Sequence, residues 1–150
     1  MNLKRFTLRA AVHILFLKDD KVLLLLRKNI SSDGMYGLVA GHLDENETIT
    51  QAFIREAKEE VGIDLKPSDI SIKTVCHSYI KGKNESIIQF YATCDKWKGE
   101  FINKEPDKCG EIKFFPVDSL PGNTAPYIRD AIKKVLSEIK YYEYDWDGRD

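Results

Sequence analysis

A mixed β-sheet with helices packed against it is the fold class this 150-residue chain predicts, and three observations carry the prediction. Two apolar runs near the N-terminus, residues 10–17 (AAVHILFL) and 21–26 (KVLLLL), read as buried strands. Two later stretches rich in Ile, Val, Tyr and Phe, residues 70–80 and 86–94, read as a second pair. Two segments with helical spacing, residues 48–61 and 124–139, lie between and after them. Strands interleaved with amphipathic helices bury their apolar faces by layering, so one α/β domain over residues 1–150 is expected.

Each element follows from local chemistry. Lys18-Asp19-Asp20 ends the first run and turns the chain into the second. Residues 29–37 (NISSDGMYG) are loop-forming by composition, and 38–40 form a short strand leading into Gly41. In the first helix Gly62 stands where a C-terminal cap belongs. Lys66-Pro67-Ser68-Asp69 is a turn, and Lys81-Gly82-Lys83-Asn84 closes a hairpin. A loop at 103–110 (NKEPDKCG) precedes a strand at 111–115. In the last helix Ala125, Ile128, Ala131, Ile132, Val135 and Ile139 share one face. The tail, 141–150 (YYEYDWDGRD), reads as an edge or surface segment whose rings pack on the body. Its sharper reading is a dimer contact or part of a substrate wall.

Composition narrows the function. With 23 Lys and Arg against 24 Asp and Glu, the net charge is −1, which gives no general attraction to nucleic acid or to a membrane. A small anionic substrate has to be held by local groups. No apolar run approaches the roughly 18 residues of a membrane span. Cys76, Cys94 and Cys109 are odd in number and form no CxxC pair, which points to reduced thiols and a cytoplasmic protein. His13, His42 and His77 lack zinc-site spacing and are read as structural.

The densest chemistry lies at residues 41–63 (GHLDENETITQAFIREAKEEVGI). Glu56, Glu59 and Glu60 fall within an arc of roughly 100° on an ideal helix, beside the apolar face. Glu56 and Glu60 are i and i+4, where like charges cost about 0.2–0.5 kcal/mol. Arg55 can offset one acid but not all of them. A hard divalent cation, which takes oxygen ligands, would answer the remaining repulsion. Gly41 precedes the helix, where a glycine permits positive φ and can leave its carbonyl open to a cation.

The full spacing runs Gly41, five residues, Glu47, seven residues, Arg55-Glu56, Ala57, one residue, Glu59-Glu60, one residue, Gly62, Ile63. This resembles the Nudix box at every defining position. The resemblance implies a Nudix-type α/β/α sandwich with a mixed sheet and a loop-helix-loop catalytic motif. It also implies a hydrolase that cleaves a nucleoside diphosphate linked to another group, using Mg²⁺ or Mn²⁺. Carried over by position, Glu56, Glu59, Glu60 and the Gly41 carbonyl become the metal ligands, and Glu47 pairs with Arg55 to hold the loop on the helix. His42 departs from the frequent second glycine and is assigned to loop packing.

Outside the box, Glu100 and Glu105 are the candidate general bases; Glu105 is favoured because Asn103, Glu105, Pro106 and Lys108 resemble a motif of triphosphate-cleaving members. Arg27 and Asn103 are the candidate substrate contacts, Arg27 as a phosphate clamp. The first expectation is a (d)NTP pyrophosphohydrolase of the MutT-like branch, releasing a monophosphate and pyrophosphate in nucleotide-pool housecleaning. The alternatives are hydrolysis of ADP-ribose, nucleotide sugars or dinucleoside polyphosphates, or a non-catalytic nucleotide-binding module. The expected partner is a nucleotide substrate, with no stable nucleic acid or membrane partner and a homodimer as the assembly to look for.

Overall fold

In the computed structural model, residues 3–147 are described. Eight strands and two α-helices follow in chain order, with one 3-10 turn at Pro67–Asp69: β1 Arg9–Lys18, β2 Lys21–Arg27, β3 Tyr36–Gly37, β4 Val39–His42, α1 Ile49–Val61, β5 Ser71–Ile80, β6 Glu85–Cys94, β7 Cys109–Pro116, α2 Pro126–Leu136 and β8 Tyr141–Tyr144. The strand path is β3-β2-β1-β6-β5-β8, with β4 on β1 and β7 on β2. β1 pairs parallel with β6, and β5 parallel with β8; the other pairings are antiparallel. The sheet is therefore mixed, as expected.

Both faces of the sheet are covered, which explains why β1 and β2 are apolar almost throughout, with His13 the one polar residue inside the apolar run of β1. Val12, Ile14, Phe16, Leu23 and Leu25 point to one core, completed by Ala52, Phe53, Ala57 and Val61 of α1. Leu15, Val22 and Leu24 point to the other, completed by Ile128, Ala131, Ile132 and Val135 of α2. The period-2 alternation of a strand sends neighbouring residues to opposite helices.

Three local features differ from the sequence expectation, at the β1–β2 pairing, at Gly41 and at the end of α2, while the tail takes its expected edge position. β1 and β2 pair only at Leu17↔Val22 and Lys18↔Lys21, then splay. β4 fills the opening against β1, with Val12 opposite Gly41. Gly41 therefore lies inside a strand, and its φ is not positive. Helix α2 is shorter than the apolar spacing predicts. Pro126, with its fixed φ and missing N–H, starts it, and Glu138 at φ 58 follows its Ser137 cap. The tail forms the edge strand β8, and the Trp146 indole donates to the His77 carbonyl at 2.7 Å; Gly148 to Asp150 lie outside the described residues.

Candidate active site

Helix α1 is held at both ends, so its acids have fixed directions. The Thr48 hydroxyl accepts from Gln51 N–H while the Gln51 side chain accepts from Thr48 N–H, a closed capping box. Gly62 at φ 70 caps the C-terminus. The chain then returns: Ile102 N–H donates to the Val61 carbonyl and Lys104 N–H to the Glu60 carbonyl. Two orphan carbonyls of the helix end are thereby satisfied by the loop that carries Glu105.

Glu56 and Glu60 do not form a solvated acidic face. They are 8% and 6% exposed, turned under β4. Glu60 accepts from Ala40 N–H at 3.0 Å and pairs with Arg27 Nη1 at 3.2 Å. Burial lifts its pKa to about 7, against the pull of Arg27. Burial likewise raises Glu56, outweighing the adjacent Arg55. Glu59 remains half exposed.

Arg55 organises the loop before the helix. Its Nε and Nη2 grip Glu47 at 2.6 and 3.0 Å, a two-point pair that holds Glu47 below the usual carboxylate range. Nη2 also donates to the His42 carbonyl at 3.0 Å. Nη1 reaches Glu56 at 2.6 Å and Glu59 at 3.2 Å. The expected Glu47–Arg55 pair is thus present in the geometry. Arg55 additionally holds two of the three helix acids.

Gly41 has a different reason from the one its loop position suggested. A Cβ there would overlap the Glu56 carboxyl group, both oxygens and the carbon. The glycine makes room for the carboxylate rather than for a positive φ.

Of these groups the three helix acids, Gly41 and Arg27, but not Arg55 or Glu47, line one cavity of about 480 Å³, the size of a small-molecule site. Gly41, Glu56, Glu59, Glu60, Glu105 and Arg27 are among its walls. Glu100 is exposed and does not line it. Asn103 does not line it either. Its side chain bridges the loop instead, donating to the Cys109 carbonyl at 2.8 Å and accepting from Glu105 N–H at 3.2 Å. Arg27 is less free than a phosphate clamp would be, since it also donates to the Leu38 carbonyl.

The donor set is all oxygen, partly desolvated and short of positive charge, which fits a hard divalent cation in chemistry. Among the described residues no three acids converge into a ready metal cluster. Arg55 draws Glu56 and Glu59 aside, and a cation would compete with it for them.

Sequence reasoning missed the rest of the wall. His13, Gln89 and Tyr127 line the same cavity. His13 is buried, stacks on Tyr91 with ring centroids 4.5 Å apart, and bonds Gln89 Oε1 through Nε2 at 2.6 Å. Gln89 in turn donates to Ser78 at 2.7 Å. Burial lowers the His13 pKa to about 4, so the ring is neutral. The available signal was a polar residue interrupting each apolar strand, His13 in β1 and Gln89 in β6.

The NUDIX domain family model matches residues 7–137. An ADP-ribose pyrophosphatase of Methanocaldococcus jannaschii is 33% identical over 124 residues, covering 80% of this chain and 71% of that protein. An NAD-capped RNA hydrolase NudC of Stutzerimonas stutzeri is 29% identical over 84% of this chain but only 42% of its own length. Among solved structures, a MutT NUDIX hydrolase from Burkholderia pseudomallei superposes with a TM-score of 0.78 at 27% identity, covering 87% of this chain and 99% of that one.

Proposed function

The chain belongs to the NUDIX domain family and is a Nudix hydrolase, and from that membership we propose that it cleaves the phosphoanhydride of a nucleoside diphosphate linked to another group. The observation that carries this reading is the single cavity shared by Gly41, Glu56, Glu59, Glu60 and Glu105. The three helix carboxylates and the Gly41 carbonyl would hold the cation, Mg²⁺ with Mn²⁺ as an alternative. A divalent cation in such a site supplies charge neutralisation for phosphate oxygens and acidifies a bound water. Glu105 is the proposed general base, taking the proton of the attacking water. The N–H bond of Glu105 to Asn103 and the docking of residues 102–104 on α1, which hold its loop at the cavity wall, support this role. Arg27 orients Glu60 and presents cationic charge to the phosphates, and Arg55 holds the loop.

Two substrate readings compete, each with its own support. The (d)NTP pyrophosphohydrolase reading rests on Glu105 at the cavity and the loop around it. The ADP-ribose reading rests on the relative so named, which aligns over most of the chain. We further propose that residues 1–150 form one such domain and act in the cytoplasm. Buried, unpaired Cys76, Cys94 and Cys109 support a reducing compartment. Among the described residues no helix is long and apolar enough to cross a membrane.

Product analysis separates the readings. The protein is incubated with Mg²⁺ and a panel of NTPs, dNTPs, ADP-ribose and nucleotide sugars. Monophosphate plus pyrophosphate from a (d)NTP supports the first reading; orthophosphate alone, or no turnover of any triphosphate, removes it. Glu59→Gln is expected to lower kcat by about a hundredfold or more with an unchanged circular dichroism spectrum. Near-wild-type turnover would take Glu59 out of the cation site. Without any substrate, Mg²⁺ is expected to raise the Tm of the wild type, and less so that of Glu56→Gln.

A further inference from the structure

The cavity of the acids has a neighbour along Tyr127. A second chamber of about 470 Å³ shares Ser31, Ser32, His42, Ile87, Gln89 and Tyr127 with it, so the two adjoin along these residues. The second chamber has the opposite electrical character. At the acid end, Glu56, Glu59, Glu60 and Glu105 face Arg27 and Lys108. At the far end, Arg9, Lys81 and Lys83 face Asp145. Tyr79 and Tyr144 add ring surface there.

Two sequence features unused by the hydrolytic site build this end. The β5–β6 turn, Lys81-Gly82-Lys83-Asn84, places a lysine on each side of a left-handed glycine at φ 82. The C-terminal strand β8 supplies Tyr144, followed by Asp145. Arg9 is paired with Glu85 at 2.7 Å, and Lys81 with Asp145 at 3.7 Å. Lys83 has no ion pair among the described residues. Its ammonium is the group that an incoming anion meets at least cost.

A substrate with one run of phosphates uses only one of these chambers. Its phosphates are drawn together to the cation site, and the far lysines gain nothing. A phosphate separated from the scissile pyrophosphate by a nucleoside is the group whose charge the far end would answer, with its sugar or base against the tyrosine rings. We propose that the second chamber is a subsite for a ribose phosphomonoester, and that the enzyme favours nucleotide substrates carrying such a phosphate in addition to the scissile pyrophosphate. The proposal rests on the acid end being the place of cleavage, and Lys83 is its specificity-determining residue.

Calorimetric titration with Mg²⁺ present tests it, using adenosine 2′,5′-bisphosphate against AMP. The bisphosphate is expected to bind about fivefold to tenfold more tightly to the wild type. Lys83→Gln is expected to abolish most of that advantage while leaving AMP affinity unchanged. Equal affinities in the wild type, or an advantage that Lys83→Gln preserves, overturn the subsite. A 5′-phosphorylated oligoribonucleotide that outcompetes the bisphosphate and depends on Lys83 would assign the chamber to nucleic acid instead, and also overturns it. The two readings fail separately. Turnover on the substrate panel without a bisphosphate preference removes the subsite alone, while a bisphosphate preference with no turnover of any panel member removes the cleavage reading and leaves the binding preference standing.

Discussion

Gly41 and Glu56 fit closely against each other in the acid end. The glycine sits in β4 opposite Val12, and the space its missing Cβ leaves is filled by the Glu56 carboxyl group. The obstacle to a larger residue is the end of a flexible side chain, so Gly41→Ala is expected to fold and to displace the carboxylate. Turnover should fall at least tenfold with a Tm within a few degrees of wild type; full activity would show that Glu56 works from elsewhere. His13 gives a second prediction at this scale. In the native protein its ring takes up a proton only near pH 4, whereas in the unfolded chain it does so near 6.5. The stabilisation from the neutral ring is therefore complete above pH 6.5, falls as pH drops through that value and is gone near pH 4. It amounts to about 3 kcal/mol at most. His13→Gln should flatten the urea midpoint over that window, and an unchanged slope would assign the acid sensitivity to other groups.

Helix α1 is the element that converts a sequence motif into a site. Its capping box and its left-handed Gly62 fix both ends, and residues 102–104 lock onto its last carbonyls. Thr48→Ala removes one half of the box and should cost about 1 kcal/mol, a Tm loss of roughly 2–4 °C, with the site otherwise intact. Asn103 acts on the loop that follows. Asn103→Ala removes the bonds to Cys109 and Glu105, so kcat is expected to fall with KM nearly unchanged, as befits a positioning residue. A rise in KM alone would instead make Asn103 a substrate contact. Loops such as this are illegible in sequence because their order comes from a partner distant in the chain. The Asn103-to-Glu105 segment has meaning only once it lies on α1.

At the scale of the whole molecule, two cores share one sheet. Phe16 and Trp97 pack at 5.5 Å on the α1 side, while Ile128 fills the α2 side. Because β1 and β2 send alternate residues to each core, the faces should unfold together. Ile128→Ala is expected to cost about 2–5 kcal/mol and to move tryptophan fluorescence and circular dichroism midpoints equally. Separate midpoints would mean that the faces are independent.

The sequence by itself determined the fold class and the reaction class. Apolar runs, helical spacing and caps are local signals, read within a turn or a strand. The Nudix box is likewise contiguous, so its acids, its glycine and Arg55 could be named before any contact was known. Only the tertiary structure decided how those residues meet. It buries Glu56 and Glu60, draws Arg27 onto Glu60, brings Glu105 to the cavity while leaving Glu100 outside, and gives Gly41 its steric reason. It alone joins His13, Gln89 and Tyr127 into a wall and sets the chamber of Lys83 and Tyr144 beside it. The division follows from distance along the chain. Chemistry written within one helix survives reading in order, whereas a pocket assembled from β1, β6, α2 and the β5–β6 turn exists only after those elements have packed.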